Sequence, residues 1–372
     1  MKIGILTFFR PINHGAILQA CATSNIVCKK YSDNVQLIDY RMPRIEYYRN
    51  NLHMKEIIKL IMHPKILMKR IFGILYYAPK SYRQKRNFDN FIHKYLNLSQ
   101  KCIDEIELSI LSNSYDMIVV GSDLVWNPEM TEGINPIYYL QFVENEKIKK
   151  ISYAASIGLT SLSPDDLKII GKFLDTFDYI SVRENSAKKM LEQYSNKEIV
   201  HVLDPTLLTK ADEWCRFMKP IRKKIRRPYL LVFMLEQSQL LINTAKKLAN
   251  LNGISIVTYG SKRHFGMKSI DVFDAGPDEM LSIIKESDLI ITNSFHGCAF
   301  SIIFEKNFWC IPHTTRGTRM IELLSSLGLN ERIVKDDNVS YGEEIDYKTV
   351  SENRNLYVRE SLKYLNKSIG GE

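Results

Sequence analysis

No Cys-x-x-Cys pair occurs in this chain of 372 residues. Its six cysteines (Cys21, Cys28, Cys102, Cys215, Cys298 and Cys310) stand far apart. That argues against a cysteine-built zinc site or a disulfide framework and fits a reducing compartment. No apolar run approaches the ~20 residues that span a bilayer. The first residues, Met1-Lys2-Ile3-Gly4-Ile5-Leu6, have the pattern of a strand rather than of a signal peptide. Internal repeats and low-complexity tracts are missing too. What remains is an ordinary globular composition, 45% apolar and 25% charged. At this length one core is not enough, and two domains are expected.

The net charge of +9 is unevenly placed. Residues 41–101 hold 14 Lys/Arg against three acids (Glu46, Glu56, Asp89), a local net of +11, so the rest of the chain sums to −2. Such a segment attracts an acidic surface or substrate. Residues 54–77 combine helical apolar spacing with Lys55, Lys59, Lys65, Lys69 and Arg70, and Pro64 is expected to divide them into two short helices. Ser81 to Leu98 continues as another basic helix. A basic amphipathic stretch of this kind suits an anionic membrane surface, and equally suits an insertion with a solvated face. Nucleic acid is not an expected partner, because no recognised binding module accompanies the charge.

Several strand–turn–helix junctions concentrate the candidate chemistry. Ser287 to Phe304 is organised around a short β-branched run, Leu289 to Ile291. Asn293 and Ser294 follow as capping residues, then a helix opens with His296 and Gly297 in its first turn. Free N–H groups and the positive helix end suit an anion there, and an imidazole beside them suits acid–base work on a phosphate-bearing substrate. The competing reading makes Gly297 a packing residue and His296 a capping or core histidine. Near the N-terminus, a strand at residues 2–8 leads to Asn13-His14-Gly15-Ala16, a ligand loop or a well-capped turn, and Val35 to Asp39 completes a βαβ unit.

Tyr115 to Pro128 contains a strand that ends in Gly121-Ser122-Asp123, with Trp126 and Asn127 beyond it. Asp123 is suited to a sugar hydroxyl and Trp126 to a sugar face; the alternative is an Asx turn with a core tryptophan. Lys150 to Gly158 reads as a strand and Ser163-Pro164-Asp165-Asp166 as a capped helix start. Tyr179 to Ala187 joins strand to helix through Arg183 and Glu184, either an anion grip or a local ion pair. Lys219 to Pro228 is proline-flanked and charged, as a linker should be. A second α/β set follows, with strands near Tyr229–Leu235, Ile254–Tyr259, Leu289–Thr292 and Phe308–Ile311, then helices at Gly317–Gly328 and Tyr347–Ile369.

Six blocks in order resemble the polysaccharide pyruvyl transferase family: Asn13-His14-Gly15-Ala16-Ile17-Leu18-Gln19-Ala20, Val120-Gly121-Ser122-Asp123-Leu124-Val125-Trp126-Asn127, Ser152-Tyr153-Ala154-Ala155-Ser156-Ile157-Gly158, Ser181-Val182-Arg183-Glu184, Val202-Leu203-Asp204-Pro205-Thr206 and Thr292-Asn293-Ser294-Phe295-His296-Gly297. They span roughly residues 3–315, and their order makes them more specific than any one alone. Residues 41–101 and the tail after about Gly328 lie outside the resemblance.

The resemblance implies an α/β fold of two Rossmann-like domains facing across a cleft, as in GT-B glycosyltransferases. We expect residues 1–218 to form the N-terminal, acceptor-side domain, with the basic helical insertion at about 41–101. Residues 219–228 would be the linker, and 229–372 the C-terminal domain with the His296 site, its last helix packing back on the first domain. It also implies transfer of pyruvate from phosphoenolpyruvate (PEP) to two hydroxyls of a bacterial surface-polysaccharide sugar, as a cyclic ketal, with release of phosphate. The expected catalytic residues are His296 as acid and Asp123 as base or sugar contact. Arg183, Ser294, Asn293, Gly297 and Arg316 would bind PEP; Asn13, His14, Gly15, Trp126 and Asn127 would bind the acceptor. Some members carry Ser-Arg-Leu-His-Gly where this chain has Ser294-Phe295-His296-Gly297, so a cation there is missing, and Arg316 or Arg319 is placed to replace it. PEP brings its own activation, so neither a metal nor an organic cofactor is expected. The basic segment extends the expectation to a polyprenyl-linked acceptor and a cytoplasmic protein held peripherally at the inner face of the membrane. A GT-B glycosyltransferase using a nucleotide-sugar and a non-catalytic glycan-binding protein are the alternatives.

Overall fold

The computed structural model describes residues 1–42, 64–259, 268–336 and 344–370, without the side chains of 64–77. Strand β1 (Lys2–Leu6) and helix α1 (His14–Lys30) are followed by β2 (Asn34–Tyr40), α2 (Pro64–Tyr95), β3 (Leu98–Cys102), α3 (Glu105–Ser112) and β4 (Met117–Val120). Then come the short α4 (Pro128–Thr131), β5 (Lys149–Ser152) and α5 (Pro164–Leu174). The five strands pair in parallel in the order β3-β2-β1-β4-β5. β4 and most of β1 are buried, as strands covered on both faces must be. A two-stranded piece, β6 (Ile180–Val182) with β7 (Ile199–His201), continues this sheet through bridges from Ile151 to Tyr179 and from Ala155 to Val182. Helix α6 (Asn185–Leu191) lies between them and α7 (Ala211–Cys215) follows.

The second sheet repeats the plan. β8 (Tyr229–Phe233), α8 (Gln239–Asn252), β9 (Ser255–Tyr259), β10 (Ile270–Asp271), α9 (Pro277–Glu286), β11 (Leu289–Thr292), α10 (Phe295–Ile303) and β12 (Phe308–Cys310) give the parallel order β10-β9-β8-β11-β12. In each sheet the order reverses direction at the first strand, so the first and fourth strands' carboxyl ends border a crevice. Helices α11 (Thr318–Ser326) and α12 (Tyr347–Leu365) complete the described chain.

The halves are joined by apolar packing. One buried cluster runs from Ile3, Ile5 and Ile17 through Trp214 to Phe233, Phe295 and Phe300. Trp214 meets Phe300 edge-on at 5.0 Å. α12 returns to the first sheet, where the Tyr364 hydroxyl donates to the Ser152 carbonyl (2.7 Å) and Ser361 Oγ accepts from Leu203 N (2.9 Å).

Three expectations change. Helix α2 runs unbroken from Pro64, which opens it, through Pro79 to Tyr95, rather than as separate helices. A proline inside a helix costs ~3 kcal/mol; beyond it, Gln84, Phe88, Phe91 and Ile92 are buried and lock the downstream turns in place. Residues 54–63 of the expected amphipathic stretch lie outside the described residues. Leu98 starts an edge strand, β3, whose Ser-Gln-Lys sequence hides it from hydrophobic patterning. Segment 219–228 is fastened to the second half: Lys219 N donates to Asp278 O (3.3 Å), Arg227 pairs with Asp288 (2.7 Å), and Ile221 and Ile225 pack on the core.

Candidate functional site

Two helix starts meet across the cleft. Asn13 caps α1, its Oδ1 accepting from Gly15 N (3.0 Å) and Ala16 N (3.3 Å). Ser294 caps α10, its Oγ accepting from Gly297 N (3.2 Å). Between them the His296 ring lies flat against Gly15: a Cβ there would fall 2.0 Å from His296 Nδ1. Glycine is therefore required at position 15 by the approach of a residue 281 positions away.

On its other side, His296 Nε2 stands 3.6 Å from Asp204 Oδ2, within ion-pair reach and beyond a good hydrogen bond. Asp204 is 1% exposed and fully organised by the first half. Arg183 Nη1 (2.9 Å) and Ser122 Oγ (3.0 Å) donate to Oδ2, and Thr206 N (2.9 Å) and Oγ1 (2.6 Å) donate to Oδ1. Burial pushes its carboxyl upward, but the His296 ring and the Arg183 guanidinium outweigh this and hold it far below the usual carboxylate range.

Arg183 spends four of its five N–H donors internally. Nε donates to Glu184 (3.1 Å), Nη2 to Ser156 Oγ (2.9 Å) and Nη1 to Asp204 and Ser122. Its face lies over the Phe295 ring at 4.6 Å. Burial works against its charge, yet Glu184, Asp204 and Asp123 around it strengthen its hold on the proton. The expected PEP ligand is thus placed as a clamp on Asp204.

The open cations follow β12: Arg316 in the loop and Arg319 in the first turn of α11. Arg316 and Arg319 each bury an Nε with no hydrogen-bond partner. Arg319 lies over the Phe295 ring at 5.6 Å, and burial together with nearby Arg183 lowers its pKa to about 10, leaving it charged at neutral pH. Arg316 reaches across the cleft to Met130 Sδ (3.7 Å). Asp123 is buried with φ +78°, a left-handed backbone imposed by its pairing with Ala155. Its charge acts on both Arg183 and Arg319, and among the described residues its carboxylate accepts no hydrogen bond.

Other sequence-selected residues prove structural in place. Trp126 is buried, stacked on Tyr139 (5.2 Å, 8° between planes), and its Nε1 donates to Tyr138 O (2.9 Å), so it offers no face to a sugar. Asn127 caps α4 and donates to Ile157 O (2.5 Å). His14 sits between Phe88 and Tyr259, bonded to Ala275 O (3.2 Å), and burial lowers its pKa to about 3. Asn293 ties down the β8–α8 loop through Leu235 N (2.8 Å) and Glu236 O (2.6 Å). Gly297 is forced by packing, since a Cβ would come 2.3 Å from Thr292 Oγ1. All six cysteines are free, and among the described residues no three metal-ligating side chains are gathered.

Sequence reading passed over Asp204, although its block was quoted, because only the fold brings it to His296. It also passed over a cluster at the ends of β1 and β2. There Arg10 and Arg41 both grip Asp39 (Nε contacts 2.8 Å each) beside the rings of Phe8, Tyr40 and Tyr138.

Among solved structures the chain is similar to UDP-GlcNAc 2-epimerase from Methanocaldococcus jannaschii, at 14% identity and TM-score 0.51, covering 96% of this chain and 93% of that one. Anabaena Alr3699/HepE in complex with UDP-glucose is 8% identical with TM-score 0.49, covering 100% of both chains. At such identities the likeness concerns the fold, two Rossmann-like halves of the GT-B kind. No curated protein matches the sequence. The sequence profile of the polysaccharide pyruvyl transferase family matches residues 13–315. Since that stretch holds His296, Asp204, Arg183 and the facing helix starts, and covers most of the chain, this protein belongs to the polysaccharide pyruvyl transferase family and is a transferase.

Proposed function

We propose that the protein transfers pyruvate from PEP to two hydroxyls of a glycan, forming a cyclic ketal and releasing phosphate. The observation behind the donor assignment is the pair Arg316 and Arg319, two guanidiniums with buried, unpartnered Nε atoms beside Phe295 and the α10 start. Buried arginine donors without acceptors favour a carboxylate or phosphate, which they hold bidentately. They stand in for the cation that Phe295 and its neighbours do not supply. His296 is the acid that protonates the PEP methylene carbon, which makes C2 electrophilic. Asp123, whose charge acts on Arg319, is the base for the attacking hydroxyl. PEP supplies the activation, so the chemistry calls for no further cofactor.

The acceptor lies along the first sheet's carboxyl edge. Tyr40 is the half-exposed ring there, packed on the buried Phe8 and Tyr138, and the Arg10 and Arg41 guanidiniums flank Asp39. This suits a sugar that carries phosphate, as a polyprenyl-linked precursor does. In α2, Lys80 and Arg83 are neutralised by Asp271 (2.9 Å) and Asp274 (2.5 Å), while Arg86 and Lys94 stay exposed. These exposed cations are the peripheral contact with an anionic inner membrane face. No described helix is long and apolar enough to cross a membrane.

Thermal-shift titration tests the donor. PEP should raise the melting temperature, since a ligand bound only by the native state stabilises it, and Arg319→Ala should abolish the rise. A response to UDP or nucleotide-sugars with indifference to PEP would move the assignment to glycosyl transfer. Arg86→Gln/Lys94→Gln should weaken binding to phosphatidylglycerol vesicles and leave turnover of a soluble acceptor unchanged; undiminished vesicle binding rules out this contact.

A further inference from the structure

Asp204 and His296 come from different halves of the molecule and meet where those halves pack together. The first half holds Asp204 with four donors from Arg183, Ser122 and Thr206, leaving one side of Oδ2 facing the second half. The second half delivers His296 there, on α10, with Nε2 lacking any hydrogen-bond partner of its own. The ring is 6% exposed and backed by Gly15, so its position is set by the partner half and not by its own helix.

We propose that Asp204 is the positioning residue for His296: it completes the acid from across the cleft. This deepens the pyruvyl-transfer reading and rests on it for the chemistry. In the first step the imidazolium proton passes to C3 of PEP, the C2=C3 electron pair forming the new C–H bond. The acceptor oxygen bonds to C2 while Asp123 takes its hydroxyl proton, which exchanges back to His296 before the next turnover. Phosphate then leaves C2 with the C–O bonding pair, the second hydroxyl oxygen takes its place, and that hydroxyl's proton departs with phosphate. Asp204 stays ionised throughout and stabilises the charged ring.

The electrostatic surroundings single out this carboxylate. Arg183 and Arg319 lie over Phe295, whose ring abuts His296 at 5.2 Å. Glu184 and Asp123 face those guanidiniums, and Arg316 faces Arg319. These outer charges, three positive and two negative, partly offset one another, whereas Asp204 alone reaches ion-pair distance.

The test is Asp204→Asn, read in two ways. The alkaline limb of kcat should move to lower pH by about one unit, a roughly tenfold loss at pH 8, while the KM for PEP stays within about twofold. The ¹³Cε1 chemical shift of His296 should move, reporting the loss of the carboxylate 3.6 Å from its ring. An unchanged pH profile and an unchanged His296 signal in the folded variant overturn the proposal. If Asp204→Asn does not fold, Thr206→Val serves. It strips one donor from the carboxylate that faces the ring, so the His296 ¹³Cε1 signal should move; no change overturns the proposal. The chemical-shift readout needs no turnover, so absent PEP turnover with a coupled His296 signal refutes the donor and spares the pair. PEP turnover with an uncoupled signal does the reverse.

Discussion

Gly15 sets how closely the halves approach, because its missing side chain is the room that His296 occupies. Gly15→Ala keeps α1 and its Asn13 cap intact but pushes the ring away. A displacement of about 1 Å at a reacting group costs on the order of 100-fold in rate, so kcat should fall by that order with an unaltered circular dichroism spectrum. Retention of wild-type kcat would remove His296 from its present place in the reaction. His14, one residue earlier, makes a different prediction. It is neutral and buried, with its pKa down at about 3. Below about pH 6.5 the unfolded chain binds a proton that the folded chain refuses, so stability falls as pH drops, by up to about 1.4 kcal/mol per unit. Urea unfolding at pH 7.5 and pH 5 should show a wild-type loss about 2 kcal/mol larger than that of His14→Gln; equal losses would mean that His14 accepts its proton when folded.

At the scale of elements, the turn after β4 shows how a binding motif in sequence becomes a structural plug. Gly121 lies tight against Thr7, Asp123 adopts a left-handed backbone, and the chain turns Trp126 inward onto Tyr139 and Phe177. Trp126→Phe should cost about 1–2 kcal/mol, chiefly through the bond lost at the Tyr138 carbonyl, and should leave the acceptor KM unchanged. A raised acceptor KM without destabilisation would restore the sugar-stacking role. The same logic separates the arginines. Arg183 is clamped among Asp204, Glu184 and Ser156, and removing it strands buried carboxylates at a cost of about 3–5 kcal/mol. Arg319→Ala strands nothing, since the side chain has no hydrogen-bonded partner, and should change PEP response rather than stability.

Over the whole molecule, closure has its own fastening. Glu322 on α11 accepts from Asn185 N (2.8 Å) and Ser186 N (3.2 Å), so a carboxylate of the second half caps α6 of the first. It touches neither Asp204 nor His296. Glu322→Ala should therefore loosen the halves, increasing the radius of gyration by small-angle scattering without ligand and lowering kcat severalfold, with PEP restoring the compact form. Scattering identical to wild type would show that the apolar seam alone holds the closed arrangement.

Much of this was legible in the chain. Buried strands such as Leu289–Thr292 and capped helix starts at Asn13, Ser163 and Ser294 are set by hydrophobic runs and by hydrogen bonds a few residues long, so local sequence specifies them. The family blocks, the two Rossmann-like halves and the importance of the His296 turn follow from the same local signals. Edge strands β3 and β10 escaped because an edge strand needs no apolar face. Roles escaped for a deeper reason. Whether Trp126 faces solvent or Tyr139, whether Arg183 is free or spent, and whether His296 meets a carboxylate depend on atoms brought close from distant positions in the chain. Local periodicity determined the elements and the placement of the motifs; only the packing of one half against the other decided which charged groups are satisfied and which remain open to a substrate.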